Sequence, residues 1–83
     1  MSKLKWIAVI EDEPDVSHLI AYHLEKSGFK TKEFRNAKSF FETLSFEIPS
    51  LIILDLMLPD IDGLEICKKI KNNENTSRIP III

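Results

Sequence analysis

An α/β fold is predicted for this chain, with strands and helices alternating along it and a parallel sheet at its centre. Three features predict it. Short apolar runs recur at Lys5–Ile10, Leu51–Leu54 and Ile79–Ile83. Between them lie segments whose apolar residues repeat at three and four, the period of an amphipathic helix. The first two apolar runs end abruptly in acids, Glu11 and Asp55. Alternating elements of these two kinds build parallel sheets covered by helices. Right-handed crossovers then restrict how they connect.

The elements follow in order. Trp6-Ile7-Ala8-Val9-Ile10 is continuous and apolar, which suits a strand buried on both faces, with Trp6 partly exposed at its start. Glu13-Pro14 then starts a helix, because proline favours the first helical position and keeps the residue before it extended. Val16, Leu19, Ile20 and Leu24 form its expected apolar face, and Gly28 stops it. Phe29–Phe34 is short and mostly polar, as an edge strand would be. Asn36 is placed to cap a second helix with Ala37, Phe40, Phe41 and Leu44 on one face. Leu51–Leu54 is a second buried strand. Asp62 is placed to cap a third helix from about Gly63 to Lys71, with Glu65 in a capping-box position. Ile79-Pro80-Ile81-Ile82-Ile83 closes the chain as a β-branched run that needs cover on both faces. Either another chain covers it, or the sequence is a fragment.

Composition removes other classes. The chain has 83 residues, which allows one domain, and carries a formal net charge of -2. Its 45% hydrophobic and 29% charged content is that of a folding sequence. One cysteine excludes an internal disulfide framework and a Cys-based zinc site. The acidic balance speaks against non-specific nucleic-acid binding by this segment. No apolar run is long enough to cross a membrane. Met1-Ser2-Lys3-Leu4-Lys5 leads into too short an apolar stretch for a signal peptide. A cytoplasmic domain is the expectation.

The acids are not spread evenly. Of the 13, Glu11, Asp12, Glu13, Asp15, Asp55, Asp60, Asp62 and Glu65 fall in two short segments. In an open parallel sheet, ligands bind outside the carboxyl ends of the strands. If the first and third strands are neighbours, Glu11, Asp12 and Asp55 converge there. Converging carboxylates repel, and a hard divalent cation is the simplest reason to gather them. Mg²⁺ takes oxygen ligands, and an Asp beside it can be a nucleophile toward a phosphoryl group. Taken one at a time, each acid reads more readily as a solvated cap or loop residue; it is their gathering at two strand ends that favours the metal reading.

Ile7-Ala8-Val9-Ile10-Glu11-Asp12-Glu13-Pro14, followed by Leu51-Ile52-Ile53-Leu54-Asp55-Leu56-Met57-Leu58-Pro59-Asp60-Ile61-Asp62-Gly63-Leu64-Glu65, closely resembles the receiver domain of bacterial two-component response regulators. The resemblance extends through Arg78-Ile79-Pro80-Ile81-Ile82-Ile83. It implies a flavodoxin-like, doubly wound sheet in the order 2-1-3-4, incomplete because the family's fifth strand and last two helices would lie beyond residues 1–83. It implies that Asp55 is the phosphoacceptor, served by a phosphohistidine on a sensor histidine kinase. Mg²⁺ would be bound by Asp12, Glu11, Asp55 and the backbone carbonyl of Met57. Pro59 and Gly63 would shape the loop before the third helix. Such a domain catalyses its own aspartyl phosphorylation and dephosphorylation and is not otherwise an enzyme.

The family also uses a Ser or Thr after the fourth strand and a Lys after a fifth, both touching the phosphate. Neither position falls within these residues, and neither Lys68 nor Lys71 matches that Lys. Impaired phosphorylation of this chain alone is therefore expected, together with self-association through an exposed fourth strand. Three other classes fit less well. A haloacid-dehalogenase-like phosphatase would carry a second Asp where Met57 stands. A non-phosphorylated interaction or assembly module has no need of Glu11, Asp12 and Asp55. A nucleotide-binding domain would want a Gly- or Ser/Thr-rich loop where Glu11–Pro14 stands. His18 and His23 are expected on the surface, Cys67 in the core, and Lys68, Lys69 and Lys71 as favourable charges at a helix C-terminus. The exposed side of the first helix, with His18 and Tyr22 beside Val16, Leu19 and Ile20, is where the resemblance places kinase docking.

Overall fold

The computed structural model describes residues 5–83, so the expectation about the first four residues lies outside what is described. The elements run β1 (Trp6–Ile10), α1 (Pro14–Lys26), β2 (Lys30–Phe34), α2 (Ala37–Leu44), β3 (Leu51–Leu54), α3 (Gly63–Lys71) and β4 (Ile81–Ile82). The strands form one parallel sheet in the order β2-β1-β3-β4. Both the alternation and the expected strand order are present.

β1 is central and every residue in it is buried. The two-residue period of a strand divides its side chains between two faces. Trp6, Ala8 and Ile10 join Phe34, Phe40, Ile52, Leu54, Ile66 and Ile70 in a core beneath α2 and α3. Ile7 and Val9 point the other way, toward α1, which packs on β1 and β2. No helix of the described residues is long and apolar enough to cross a membrane.

Local chemistry sets the helix ends. Asn36 Oδ1 accepts from Ser39 N–H and Asp62 Oδ1 from Leu64 N–H, the expected caps. Gly28 ends α1 with φ of 99°, a backbone state that side chains disfavour. Phe40 is fully buried, and Cys67 packs half-buried against the core.

Five expectations need correction. The face α1 turns inward is Ser17 and Ala21, while Val16 and Leu19 are exposed. The small Ala21 allows close approach to the sheet, and the Ser17 hydroxyl is satisfied by Glu33 at 2.7 Å. Trp6 is only 7% exposed, because its ring packs against Phe34 and lies beneath the Lys32 ammonium. β3 is not buried on both faces: Ile52 and Leu54 are buried, Leu51 and Ile53 only partly. β4 is two residues long, at the sheet edge, with Ile81 half-buried and Ile82 exposed. At Asp62, the bond from position 65 comes from the Glu65 backbone N–H to the Asp62 carbonyl, not from a reciprocal side-chain box.

Candidate functional site

Strand register builds the site. Ile10 stands opposite Leu54 in the β1–β3 pairing, so Glu11 and Asp55 leave the sheet side by side at its carboxyl end. Asp55 N–H donates to the Ile10 carbonyl and Glu11 N–H to the Phe34 carbonyl, both at 2.9 Å, which ties both residues to neighbouring strands. Pro14 starts α1 immediately afterwards and leaves Asp12 at the same rim.

Glu11, Asp12 and Asp55 each place one carboxylate oxygen within 4.8 Å of the others. Glu11 and Asp55 are half-buried and Asp12 is exposed. Burial pushes the Glu11 carboxyl up. The Glu13 N–H opposes this at 3.2 Å, but the charges of Asp55 and Asp12 and a shared hydrogen bond with Asp55 leave it raised. Asp55 is oriented by Met57 N–H, which donates to its Oδ1 at 3.0 Å. The three sequence-predicted carboxylates therefore come together, with the Met57 backbone at the root of the adjoining loop. The Met57 side chain is 83% exposed and makes no part of the cluster.

The donor set is all oxygen and negatively charged. That suits a hard divalent cation such as Mg²⁺, which would offset both the burial of Glu11 and the weaker repulsion from Asp55 and Asp12. An open depression of about 530 Å³ adjoins the carboxylates, with Ile20, Ile53 and Ile83 on its apolar side. A larger one of about 750 Å³, lined by Trp6, Phe41 and Phe46 among others, includes none of the three carboxylate residues.

The loop from Leu56 to Asp62 is stitched at several points. Met57 pairs with Asp62, and Gly63 N–H donates to the Leu56 carbonyl at 3.1 Å. Leu58 is buried and Ile61 packs against the core. Gly63 sits so close to Leu56 that a Cβ would lie 2.5 Å from its Cα, which accounts for the loop-shaping role expected there. Lys71 turns elsewhere, donating to the Ser77 and Ile79 carbonyls.

Two polar arrangements were missed in the sequence. Asp60 binds the start of α2, and Glu33 gathers Ser17, His18 and Arg35. His18 is on the surface as expected, but paired. Most of these contacts join residues distant in sequence, so no local spacing marked them.

The response regulator receiver domain family model matches residues 7–83. The chain belongs to the response regulator receiver domain family. This receiver chain is 39% identical over 77 residues to the phosphate regulon transcriptional regulatory protein PhoB of Rhizobium meliloti, covering 93% of the chain and 34% of that relative. Among solved structures it resembles the signal receiver domain of a signal transduction histidine kinase from Syntrophus aciditrophicus, with TM-score 0.88, 31% identity, and coverage of 93% of this chain and 58% of that one. It also resembles the phosphorylated cyanobacterial phytochrome response regulator RcpA, with TM-score 0.86, 30% identity, and coverage of 95% and 63%. The chain thus spans about a third of the length of the curated relatives it matches. Its homology is to response regulators of two-component phosphorelay signalling, and a non-phosphorylated assembly module is not favoured.

Proposed function

We propose that residues 1–83 form the N-terminal part of a receiver domain that accepts a phosphoryl group on Asp55 from a sensor histidine kinase. The convergence of Glu11, Asp12 and Asp55 within 4.8 Å, at the ends of two adjacent parallel strands, carries this reading. Mg²⁺ would be held by these carboxylates and the Met57 backbone carbonyl. The chemistry it supplies when bound is neutralisation of charge on the phosphoryl oxygens.

The chain's own groups do the rest. Met57 N–H fixes one oxygen of Asp55 and so aims the carboxylate. An Asp55 oxygen attacks the phosphorus of the kinase phosphohistidine. The P–N bond breaks, its electron pair returns to the imidazole nitrogen, and an aspartyl phosphate remains. The domain modifies itself and turns over no separate substrate. Exposed Val16, Leu19 and Tyr22 on α1 suit kinase docking, and the β4 edge suits self-association. The segment acts in the cytoplasm, without direct contact to nucleic acid.

Incubation with acetyl phosphate and Mg²⁺ followed by mass spectrometry tests the reading. The expected result is sub-stoichiometric phosphorylation at Asp55, abolished by chelation and by Asp55→Asn. Sub-stoichiometric yield is expected of residues 1–83 tested on their own, because the family's phosphate-holding hydroxyl and lysine positions are not among them. Absence of any modification at Asp55 would refute the acceptor role. Stoichiometric, long-lived modification would refute the impairment.

A further inference from the structure

The tip of the loop between β3 and α3 is fastened to a different element. A helix start leaves four backbone N–H groups without partners in the helix. In α2, Ala37 N–H donates to Asp60 Oδ1 and Lys38 N–H to Asp60 Oδ2, both at 3.0 Å. Asn36 takes the Ser39 N–H. A carboxylate 23 positions from Ala37 therefore caps α2 with both of its oxygens. A negative charge at this end of a helix also meets the positive end of its dipole. The Ala37 N–H, helped by that of Lys38 against slight burial, holds the Asp60 carboxyl below its usual range.

The loop has a root and a tip. At the root, Asp55 stands beside Glu11 and Asp12 and accepts from the Met57 N–H. At the tip, Asp60 holds α2. Leu58 and Pro59 join the two, the first anchored in the core and the second with a fixed φ. A displacement at the tip is therefore passed to the root instead of being absorbed by slack chain.

We propose that Asp60 is a positioning residue for the acidic site: by holding the α2 N-terminus it sets where Asp55 and Met57 stand, and so sets Mg²⁺ affinity. It touches no reacting atom. The inference rests on the reading of Glu11, Asp12 and Asp55 as a metal site, and the test separates the two. The 83-residue chain is compared with Asp60→Ala, Asp60→Asn and Asn36→Ala. Asn36→Ala removes another bond at the same helix start and leaves the loop untouched. Mg²⁺ affinity is measured by calorimetry, and the amide shifts of Asp55, Leu56 and Met57 are recorded by NMR without metal.

Asp60→Ala should lower Mg²⁺ affinity on the order of tenfold, as loss of a group supporting metal ligands does. It should also displace the three amides. Asp60→Asn, which keeps one accepting oxygen, should fall between and guards against a misfolded alanine variant. Asn36→Ala should lower thermal stability while leaving affinity and amide shifts unchanged. Unchanged affinity in Asp60→Ala, or an equal loss in Asn36→Ala, would overturn the proposal. If the unsubstituted chain takes up no Mg²⁺, the metal reading fails. The amide shifts then decide: displacement by Asp60→Ala alone supports positioning, and none overturns it.

Discussion

Glu33 shows how much one carboxylate oxygen can hold together. Its Oε1 receives Ser17 Oγ at 2.7 Å, His18 Nδ1 at 2.7 Å and Arg35 Nη1 at 3.5 Å. Burial pushes the Glu33 carboxyl up, but the Ser17 hydrogen bond, the His18 charge and hydrogen bond and the Arg35 contact outweigh it and hold the group below its ordinary value of 4.5. The ionised form is thus favoured in the folded chain. Its contribution is fully present above the unfolded value and is lost as pH falls through the lower folded one. Glu33→Gln should therefore destabilise the chain by about 1 kcal/mol at neutral pH, where fully buried Ser17 loses a strong acceptor. The difference from the unsubstituted chain should shrink below about pH 4, as measured by urea unfolding across pH. A difference that stays constant into acid would contradict this role. None of this was legible in the sequence, because Ser17 in an amphipathic repeat reads as a solvent-facing residue and its partner is 16 positions away. Glu11, Asp12 and Asp55 were legible because each follows an apolar strand directly, and strand ends in a parallel sheet are spatially predictable.

At the scale of elements, the junction of loop and α3 turns on Gly63. A Cβ there would meet Leu56 Cα at 2.5 Å and Leu56 Cδ2 at 2.7 Å. The first of these is backbone and cannot rotate away. Leu56 directly follows Asp55, so any relief moves the residue that anchors the site. Gly63→Ala should cost about 1–3 kcal/mol, as overpacking does. It should also weaken Mg²⁺ binding in calorimetry by more than the remote Asn36→Ala does. Full stability and affinity in Gly63→Ala would show that the loop yields easily. The helix starts themselves were legible, since Asn36 and Asp62 are side chains that cap their own helices. The inward face of α1 was not. Apolar spacing selects Val16 and Leu19, whereas the sheet accepts the small Ser17 and Ala21.

At the scale of the whole molecule, the sheet has two edges of opposite character. β2 presents Lys30, Lys32 and Glu33, charges that discourage pairing with another chain. β4 presents only isoleucine, with Ile82 53% and Ile83 69% exposed. β4 pairs with β3 on one side and has no strand on the other among the described residues. Backbone groups on that side and the apolar side chains beside them favour addition of a second copy. Light scattering on the 83-residue chain should therefore show apparent mass rising with concentration from the micromolar to the millimolar range. Ile82→Lys, which puts a charge on the edge without entering the core, should suppress that rise and leave the far-UV circular dichroism unchanged. A monomer across the whole range would refute association through β4. A rise that Ile82→Lys leaves intact would move the contact elsewhere, with the exposed Val16, Leu19 and Tyr22 of α1 the next surface to substitute.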